Sequence, residues 1–78
     1  MQNEGRGVII AELTIQLNNR PYPFREGATV SSLMVENSFE FSNIIVKING
    51  AVIEESLWSV AVISAGDNVE IIHIFGGG

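Results

Sequence analysis

Apolar and polar residues alternate over the early part of the chain. Across residues 13–17 every odd position is apolar and every even position is polar, a period of two that predicts a half-buried β-strand. Asn18 and Asn19 tolerate positive φ angles, so we expect a tight turn there. Residues 20–24 form a second extended run. Together these features predict a β-hairpin.

Two prolines mark the second strand of this hairpin. Pro21 and Pro23 have no backbone N–H, and because they are two positions apart, both gaps fall on the same side of the strand. A strand of this kind fits only at the edge of a sheet, with its proline side free. The second strand is therefore predicted to be an edge strand.

After Gly27 the apolar spacing changes to that of a helix. Thr29 can cap its first turn, and the helix is expected to span residues 30–37. Its apolar stripe is predicted to comprise Val30, Leu33, Met34 and Val35. A loop follows over residues 38–43.

The second half of the chain reads as three further strands. They are predicted at residues 44–48, 51–53 and 68–75, separated by an Asn49-Gly50 turn, a helical turn at 54–58 and a reversal at Ala65-Gly66-Asp67. The last strand is apolar on both faces, which suits a central place in the sheet. Among the other apolar residues, Phe39, Phe41, Met34 and Trp58 are expected in the core.

The order of these elements predicts the fold class. A hairpin, one helix and then further strands favour an α+β domain with the β-grasp (ubiquitin-like) fold, in which a mixed sheet of four to five strands packs on one helix. Residues 1–11 are expected to be an N-terminal arm that is either disordered or extends the first strand. The β-grasp domain then spans residues 12–75, and residues 76–78 form a glycine tail.

Composition narrows the possible functions. A chain of 78 residues buries only about 60% of its unfolded surface, which leaves little room for a large enclosed active site. The net charge of −5 and the small number of basic residues argue against binding to nucleic acid or an anionic membrane. There is no cysteine, so disulfides and thiolate sites are excluded. The single histidine, His73, is expected to be packed or at the surface, and no metal site or catalytic set is expected.

The last three residues, Gly76, Gly77 and Gly78, suggest where the function lies. Glycine has no Cβ, so such a tail can enter a narrow channel, and three extended residues reach about 10 Å. The tail could thus present the terminal carboxylate inside another protein's active site. An inert terminal segment is the alternative interpretation.

Three stretches resemble a known family. They read EGATV at residues 26–30, VKINGAVI at 46–53 and AGDNVEIIHIFGGG at 65–78. These residues resemble the thiamine-pathway sulfur carriers (ThiS) within the ThiS/MoaD ubiquitin-like family. The resemblance covers roughly residues 13–78, and its most specific parts are the Gly66-Asp67 turn, the strand after it and the terminal glycines. The acidic Glu54-Glu55-Ser56 departs from the proline and basic residues that family members often carry there.

The resemblance implies a carrier protein rather than an enzyme. An ATP-dependent adenylating enzyme (ThiF/MoeB-like), using Mg²⁺, would activate the carboxylate of Gly78. A sulfur donor would then convert it to a thiocarboxylate, and a thiazole synthase (ThiG-like) would take the sulfur for the thiamine thiazole ring. Gly76 and Gly77 would give the partners steric access, while ATP and Mg²⁺ would bind to the partner and no cofactor to this chain. A cytoplasmic monomer is expected.

Alternation also predicts where partners dock. If Val69 and Ile71 face the helix, then the intervening side chains of the last strand face outward, together with alternate residues of a neighbouring strand. The docking patch is expected to comprise Ile45, Lys47, Ile72, Ile74 and Phe75. The alternatives are that the N-terminal arm or a loop covers this face, or that Ile45 belongs to the core. Phe75 is either a core anchor or a contact at the mouth of the partner's channel.

Three other functions remain open from the sequence. The chain could supply sulfur to molybdopterin synthase or to another sulfur-transfer pathway, although tails of that type often have prolines near the final glycines. It could be a ubiquitin-like modifier that forms an isopeptide bond through Gly78. It could also be a binding module whose tail takes no part in its activity.

Overall fold

The computed structural model describes residues 9–74, with side chains described from residue 13 onward. In this part of the chain, five strands, one α-helix and one 3₁₀ turn follow one another. They are β1 (Ile9–Leu17), β2 (Arg20–Arg25), α1 (Val30–Glu36), β3 (Ile44–Ile48), β4 (Ala51–Ile53), the 3₁₀ turn (Glu55–Leu57) and β5 (Asn68–His73).

The five strands form one mixed sheet in the order β2-β1-β5-β3-β4. The central strands β1 and β5 run parallel, and the other neighbours are antiparallel. The predicted β-grasp arrangement of a mixed sheet over one helix is thus confirmed. The proline-containing β2 lies at an edge and the apolar β5 lies at the centre, as the sequence predicts.

Both predicted hairpin turns are present. Asn18 and Asn19 have φ angles of 51° and 69°, and Asn49 and Gly50 have 53° and 87°. Two successive positive φ values give the turn a twist that matches the flanking strands, and asparagine and glycine reach this region most easily. The strand β1 begins at Ile9, so it includes residues that the sequence analysis assigned to the arm, and extension of the first strand was one of the two placements expected there.

The helix is capped at its start as predicted. The Thr29 Oγ1 accepts a hydrogen bond from the Ser32 backbone N–H at 3.1 Å, and the Ser32 Oγ accepts one from the Thr29 N–H at 2.9 Å. This reciprocal pair satisfies two N–H groups that the helix leaves without partners. The helix ends at Glu36, one residue before the predicted end.

One residue of the predicted helical stripe is placed wrongly. Val30, Leu33 and Met34 are buried, but Val35 is 67% exposed. Each helical residue is rotated by roughly 100° from the one before it, so Val35 turns past the face that Met34 presents to the sheet. The stripe therefore has three members.

The core lies between α1 and one face of the sheet, and Trp58 closes one side of it. The Trp58 Nε1 donates a hydrogen bond to the Ile53 carbonyl at 2.9 Å, which allows the indole to be buried. Phe39 packs against this core, whereas Phe41 is 41% exposed and contacts the Trp58 ring at a centroid distance of 6.0 Å. Phe41 therefore covers the core from outside, contrary to prediction. The buried residues are Ile15, Leu17, Val30, Leu33, Met34, Val46, Trp58, Ile63, Val69 and Ile71.

The last strand is shorter than predicted. β5 ends at His73, because its partner strand β3 begins at Ile44, which pairs with His73. Beyond that pair, the Ile74 N–H still donates to the Asn43 carbonyl at 2.8 Å. The predicted strand residue Phe75 and the glycines at 76–78 lie outside the described residues.

Candidate functional site

The sheet presents one face to α1 and leaves the other uncovered by any described helix. On the covered side, Val46, Val69 and Ile71 are almost completely buried. On the opposite side, Ile45 lies opposite Ile72 in the antiparallel pairing of β3 and β5. Directly opposite residues point to the same face of a sheet, so these two isoleucines are neighbours there, as alternation predicts.

A charged pair continues this surface. Lys47 of β3 lies opposite Glu70 of β5, and both side chains are half-buried. The residue opposite Lys47 on its other side is Val52 of β4, which is exposed. The surface thus has two apolar regions with a pair of opposite charges between them. We call it the open face, and it comprises Ile45, Lys47, Val52, Glu70 and Ile72.

Val52 was not among the residues predicted for this surface. Its strand β4 is only three residues long, too short for alternation to show which side each residue takes. The pairing with Lys47 settles the question. Of the predicted docking residues, Ile45, Lys47 and Ile72 lie on the open face, and Ile74 is exposed one residue beyond the end of β5. Their role in docking stays a prediction.

The end of β5 is held from the loop that precedes β3. Besides the hydrogen bond between Ile74 and Asn43, the His73 ring contacts the Phe39 ring at a centroid distance of 6.0 Å. Asn43 has a φ of 57°, a conformation that asparagine tolerates better than most residues. The chain therefore leaves the sheet at its central strand, beside the open face, and His73 is an exposed residue in contact with an aromatic ring.

A side chain at the β1–β2 turn fixes the middle of β5. The Asn18 Oδ1 accepts a hydrogen bond from the Ile71 N–H at 2.8 Å, and its Nδ2 donates one to the Ile71 carbonyl at 3.2 Å. Asn18 follows the last residue of β1, so its amide continues the parallel pairing where that strand has ended. The sequence indicated Asn18 only as a turn residue.

The start of β5 is fixed by a second set of polar contacts. The Asp67 Oδ1 accepts from the Asn49 Nδ2 at 2.9 Å, and the Asn49 Oδ1 accepts from the Asn68 N–H at 2.9 Å. The other Asp67 oxygen accepts from the Ser64 N–H at 2.8 Å. Gly66 before it has a φ of 86°, which favours glycine. The Gly66-Asp67 motif thus joins two turns and sets where β5 begins.

The described residues offer little chemistry of their own. No three acidic or histidine side chains among them come together as a metal site. Burial, followed by the hydrogen bond to Glu36, raises the pKa of the Tyr22 hydroxyl above its ordinary value, but this tyrosine lies on β2, at the far edge of the sheet from β3 and β4. Within residues 9–74 no helix has both the length and the apolar character needed to span a membrane.

Known proteins are similar to this chain in sequence. A thiazole synthase of Magnetococcus marinus is 29% identical over 66 residues, which cover 85% of this chain and 20% of that protein. The chain therefore spans about a fifth of that relative. An uncharacterized protein of Porphyra purpurea is 32% identical over 71 residues, covering 91% of this chain and 100% of the other.

A solved structure extends the similarity to the fold. The crystal structure of the thiamine biosynthesis protein ThiS from Geobacter metallireducens matches with a TM-score of 0.69 and 26% identity, covering 85% of this chain and 100% of that chain. The model of the ThiS family matches residues 15–78. That match includes the strand β5, the residues Asn18 and Asp67 whose side chains hold it, and the terminal glycines. On this evidence the chain belongs to the ThiS family.

Proposed function

We propose that this protein is a sulfur carrier that bears sulfur as a thiocarboxylate on Gly78 and delivers it to a thiazole synthase. The observation that carries the proposal is the family match over residues 15–78, which takes in the glycine tail. One similar protein is named as a thiazole synthase and another as the thiamine biosynthesis protein ThiS. Both support the thiamine pathway as the destination of the sulfur.

The chemistry begins with an unreactive group. A terminal carboxylate has a pKa of about 3.3 to 3.7 and is ionised at neutral pH, so it resists nucleophilic attack. An adenylating enzyme overcomes this when a carboxylate oxygen of Gly78 attacks the α-phosphorus of ATP and pyrophosphate leaves. Hydrosulfide released by the donor then adds to the acyl carbon of the adenylate, AMP leaves and a proton is lost. The product is the thiocarboxylate.

The partner supplies the catalytic groups in this scheme. ATP and Mg²⁺ bind to the adenylating enzyme, while this chain contributes an attachment point and a docking surface. Gly76 and Gly77 give the tail steric access to the enzyme's active site. The open face lies beside the strand that leads to the tail, and its apolar residues Ile45, Ile72 and Val52 would be buried by the docked partner. Ile74 and Phe75 would contact the mouth of the channel.

Intact-mass measurement tests this proposal directly. A protein verified to end at Gly78 is incubated with a candidate adenylating enzyme, ATP, Mg²⁺ and sulfide, and its mass is followed over time. We expect the gain of one oxygen-to-sulfur exchange, located at Gly78 by fragmentation. A matched variant that lacks Gly77 and Gly78 should gain nothing. A failure to gain mass with every cognate enzyme would overturn sulfur carriage.

The destination of the sulfur needs a separate assay. The thiocarboxylate form is supplied to a thiazole synthase and to a molybdopterin synthase large subunit, and loss of sulfur from the carrier is measured. We expect faster transfer with the thiazole synthase. Preferred transfer in the other assay would assign the carrier to the molybdopterin pathway. Covalent conjugates on lysine, without sulfur transfer, would instead indicate a protein modifier.

A further inference from the structure

A groove runs between the edge strand β2 and the helix α1, on the side of the sheet that the helix covers. Its volume is about 590 Å³, within the range of sites that hold a ligand. None of the open-face residues lines it. The groove is therefore a second surface, separate from the open face on which sulfur-transfer enzymes are proposed to dock.

The floor and walls of this groove are apolar. Ile15, Leu33 and Ile63 form the floor and are themselves core residues. Val35 on the helix lines one wall and is exposed, and Phe24 on β2 lines the other and is half-buried. The sequence predicts that Val35 is part of the buried stripe of the helix. In the structure Val35 lies at the wall of the groove instead, where an occupant would bury it.

One end of the groove is closed by a polar network. The Arg25 Nη1 contacts the Glu36 Oε2 at 3.0 Å, and the Tyr22 hydroxyl donates to the Glu36 Oε1 at 2.8 Å. The Asn37 Nδ2 donates to the Tyr22 hydroxyl at 3.1 Å. These contacts tie β2 to the end of the helix. They leave both oxygens of Glu36 with a partner.

A second carboxylate at the groove has no partner among the described residues. Glu26 lines the groove but enters no ion pair or side-chain hydrogen bond with any of them. The cations of the chain are few, and the one nearest to Glu26 in sequence, Arg25, is paired with Glu36. The groove therefore carries an unbalanced negative charge, which a cation of an occupant would offset.

The free edge of β2 limits how an occupant can bind. Pro21 and Pro23 place their missing N–H groups on that edge, so it offers their carbonyl oxygens as acceptors without donors beside them. Regular addition of another strand needs both donors and acceptors, so the prolines oppose it. An occupant would have to donate hydrogen bonds from its side chains, and an arginine or lysine does this well.

We propose that the groove binds an extended segment of a partner protein that carries an aliphatic side chain next to an arginine or lysine. The aliphatic side chain packs between Val35 and Phe24 on the apolar floor. The basic group reaches Glu26 and the carbonyl oxygens of the β2 edge. This binding does not depend on sulfur chemistry at Gly78, so either proposal can fail alone.

Selection from a random peptide library tests which segments the groove accepts. Random segments of about eight residues, which extend over roughly 26 Å, are displayed on phage and selected on the whole protein. Each round is depleted on the variant Val35→Lys, which removes the apolar wall and adds a positive charge that repels a basic segment. We expect the surviving segments to share an aliphatic residue beside a basic one. Failure to enrich any segment, or enrichment of acidic segments, would overturn the proposal.

A matched control distinguishes binding in the groove from the general effect of placing a lysine on the surface. Val60 is 65% exposed, close to the 67% of Val35, and does not line the groove. The variant Val60→Lys should bind the selected segment as the unmodified protein does, whereas Val35→Lys should bind it at least about tenfold more weakly. Thermal unfolding of both variants checks that they are folded. Equal weakening by the two substitutions would contradict binding in the groove.

The charge contribution is tested with Glu26→Gln, which keeps the shape of the side chain. Loss of one partly exposed ion pair should weaken binding by about two- to fivefold, and added salt should reduce that difference. A titration followed by amide resonances in NMR spectra places the segment: shifts should centre on residues 22–36. Shifts centred on the open face, or no effect of Glu26→Gln, would overturn the assignment.

Discussion

The two faces of the strands β3 and β5 differ sharply although they share one backbone. Ile71 is 3% exposed and packs under the helix, while its neighbour Ile72 is 41% exposed on the open face. The same alternation places Val46 inside and Ile45 outside. Two identical side chains in adjacent positions therefore serve different ends. One belongs to the core, and the other is partly exposed to solvent.

The largest expected effect comes from truncating each isoleucine in turn. Ile71→Ala should lower the free energy of unfolding by about 2 to 5 kcal/mol, because it removes buried atoms and leaves a cavity. Ile72→Ala should cost less than about 1 kcal/mol, because the side chain is already partly hydrated. Denaturant unfolding of both variants measures this. Equal losses would mean that the open face is not open in solution.

The two hydrogen bonds between the Asn18 side chain and Ile71 are expected to hold β5 in place. Asn18→Ala leaves the N–H and carbonyl of Ile71 without side-chain partners, and should cost about 1 to 3 kcal/mol in unfolding free energy. Asn19→Ala is the control, because Asn19 also has a positive φ but makes no side-chain hydrogen bond with the described residues. Similar losses in both variants would assign the effect to turn strain alone.

The open face should matter for function and not for folding. Ile72→Asp should lower the kcat/KM of thiocarboxylate formation by at least about tenfold, or 1.4 kcal/mol, because docking would bury an unpaired carboxylate. Thermal unfolding should change little. Val60→Asp is the control at an exposed valine outside the open face. Unchanged loading of the Ile72 variant would remove this residue from the docking surface.

The smallest effect concerns the edge of the covered face, where Tyr22 joins β2 to α1. Its pKa is raised in the folded state, so its neutral form stabilises the fold below the unfolded pKa near 10, and this contribution is lost as pH rises through the folded pKa. The free energy of unfolding should therefore be higher for the unmodified protein than for Tyr22→Phe at pH 8, and this difference should shrink above pH 10.

The chain has a single tyrosine, so an ultraviolet titration reports on Tyr22 alone. The folded protein should ionise at higher pH than the denatured chain. Removing the hydrogen-bond partner with Glu36→Gln should move the folded value back toward its ordinary position. An unshifted titration in the folded protein would show that the Tyr22 hydroxyl is neither buried nor held at Glu36 in solution.

Features of the fold that depend on local chemistry could be predicted from the sequence. The two hairpin turns follow from asparagine and glycine at positions that need a positive φ, and the helix start follows from the Thr29 cap. The prolines predicted that β2 lies at an edge, because a residue without an N–H group cannot donate a hydrogen bond to a second neighbouring strand. Alternation likewise separated Ile71 from Ile72, since successive side chains of a strand take opposite faces.

Other features could not be predicted because they join residues that are distant in the chain. Nothing near Asn18 indicates that its amide will pair with Ile71, 53 positions later. Val52 entered the open face only through its pairing with Lys47. Val35 and Phe41 were expected in the core. The side of α1 that faces the sheet leaves Val35 outside it, and Phe41 lies against Trp58 with its ring partly exposed.

The sequence by itself determined the turns, the cap, the edge strand, the alternation of the sheet and the resemblance that leads to the ThiS family. Each of these rests on residues that act on their own backbone or on close neighbours in the chain. Only the tertiary structure decided which outward side chains meet on the open face and that a groove remains between β2 and α1. Those surfaces are set by how elements pack across the sheet, and no local pattern of residues encodes that spacing.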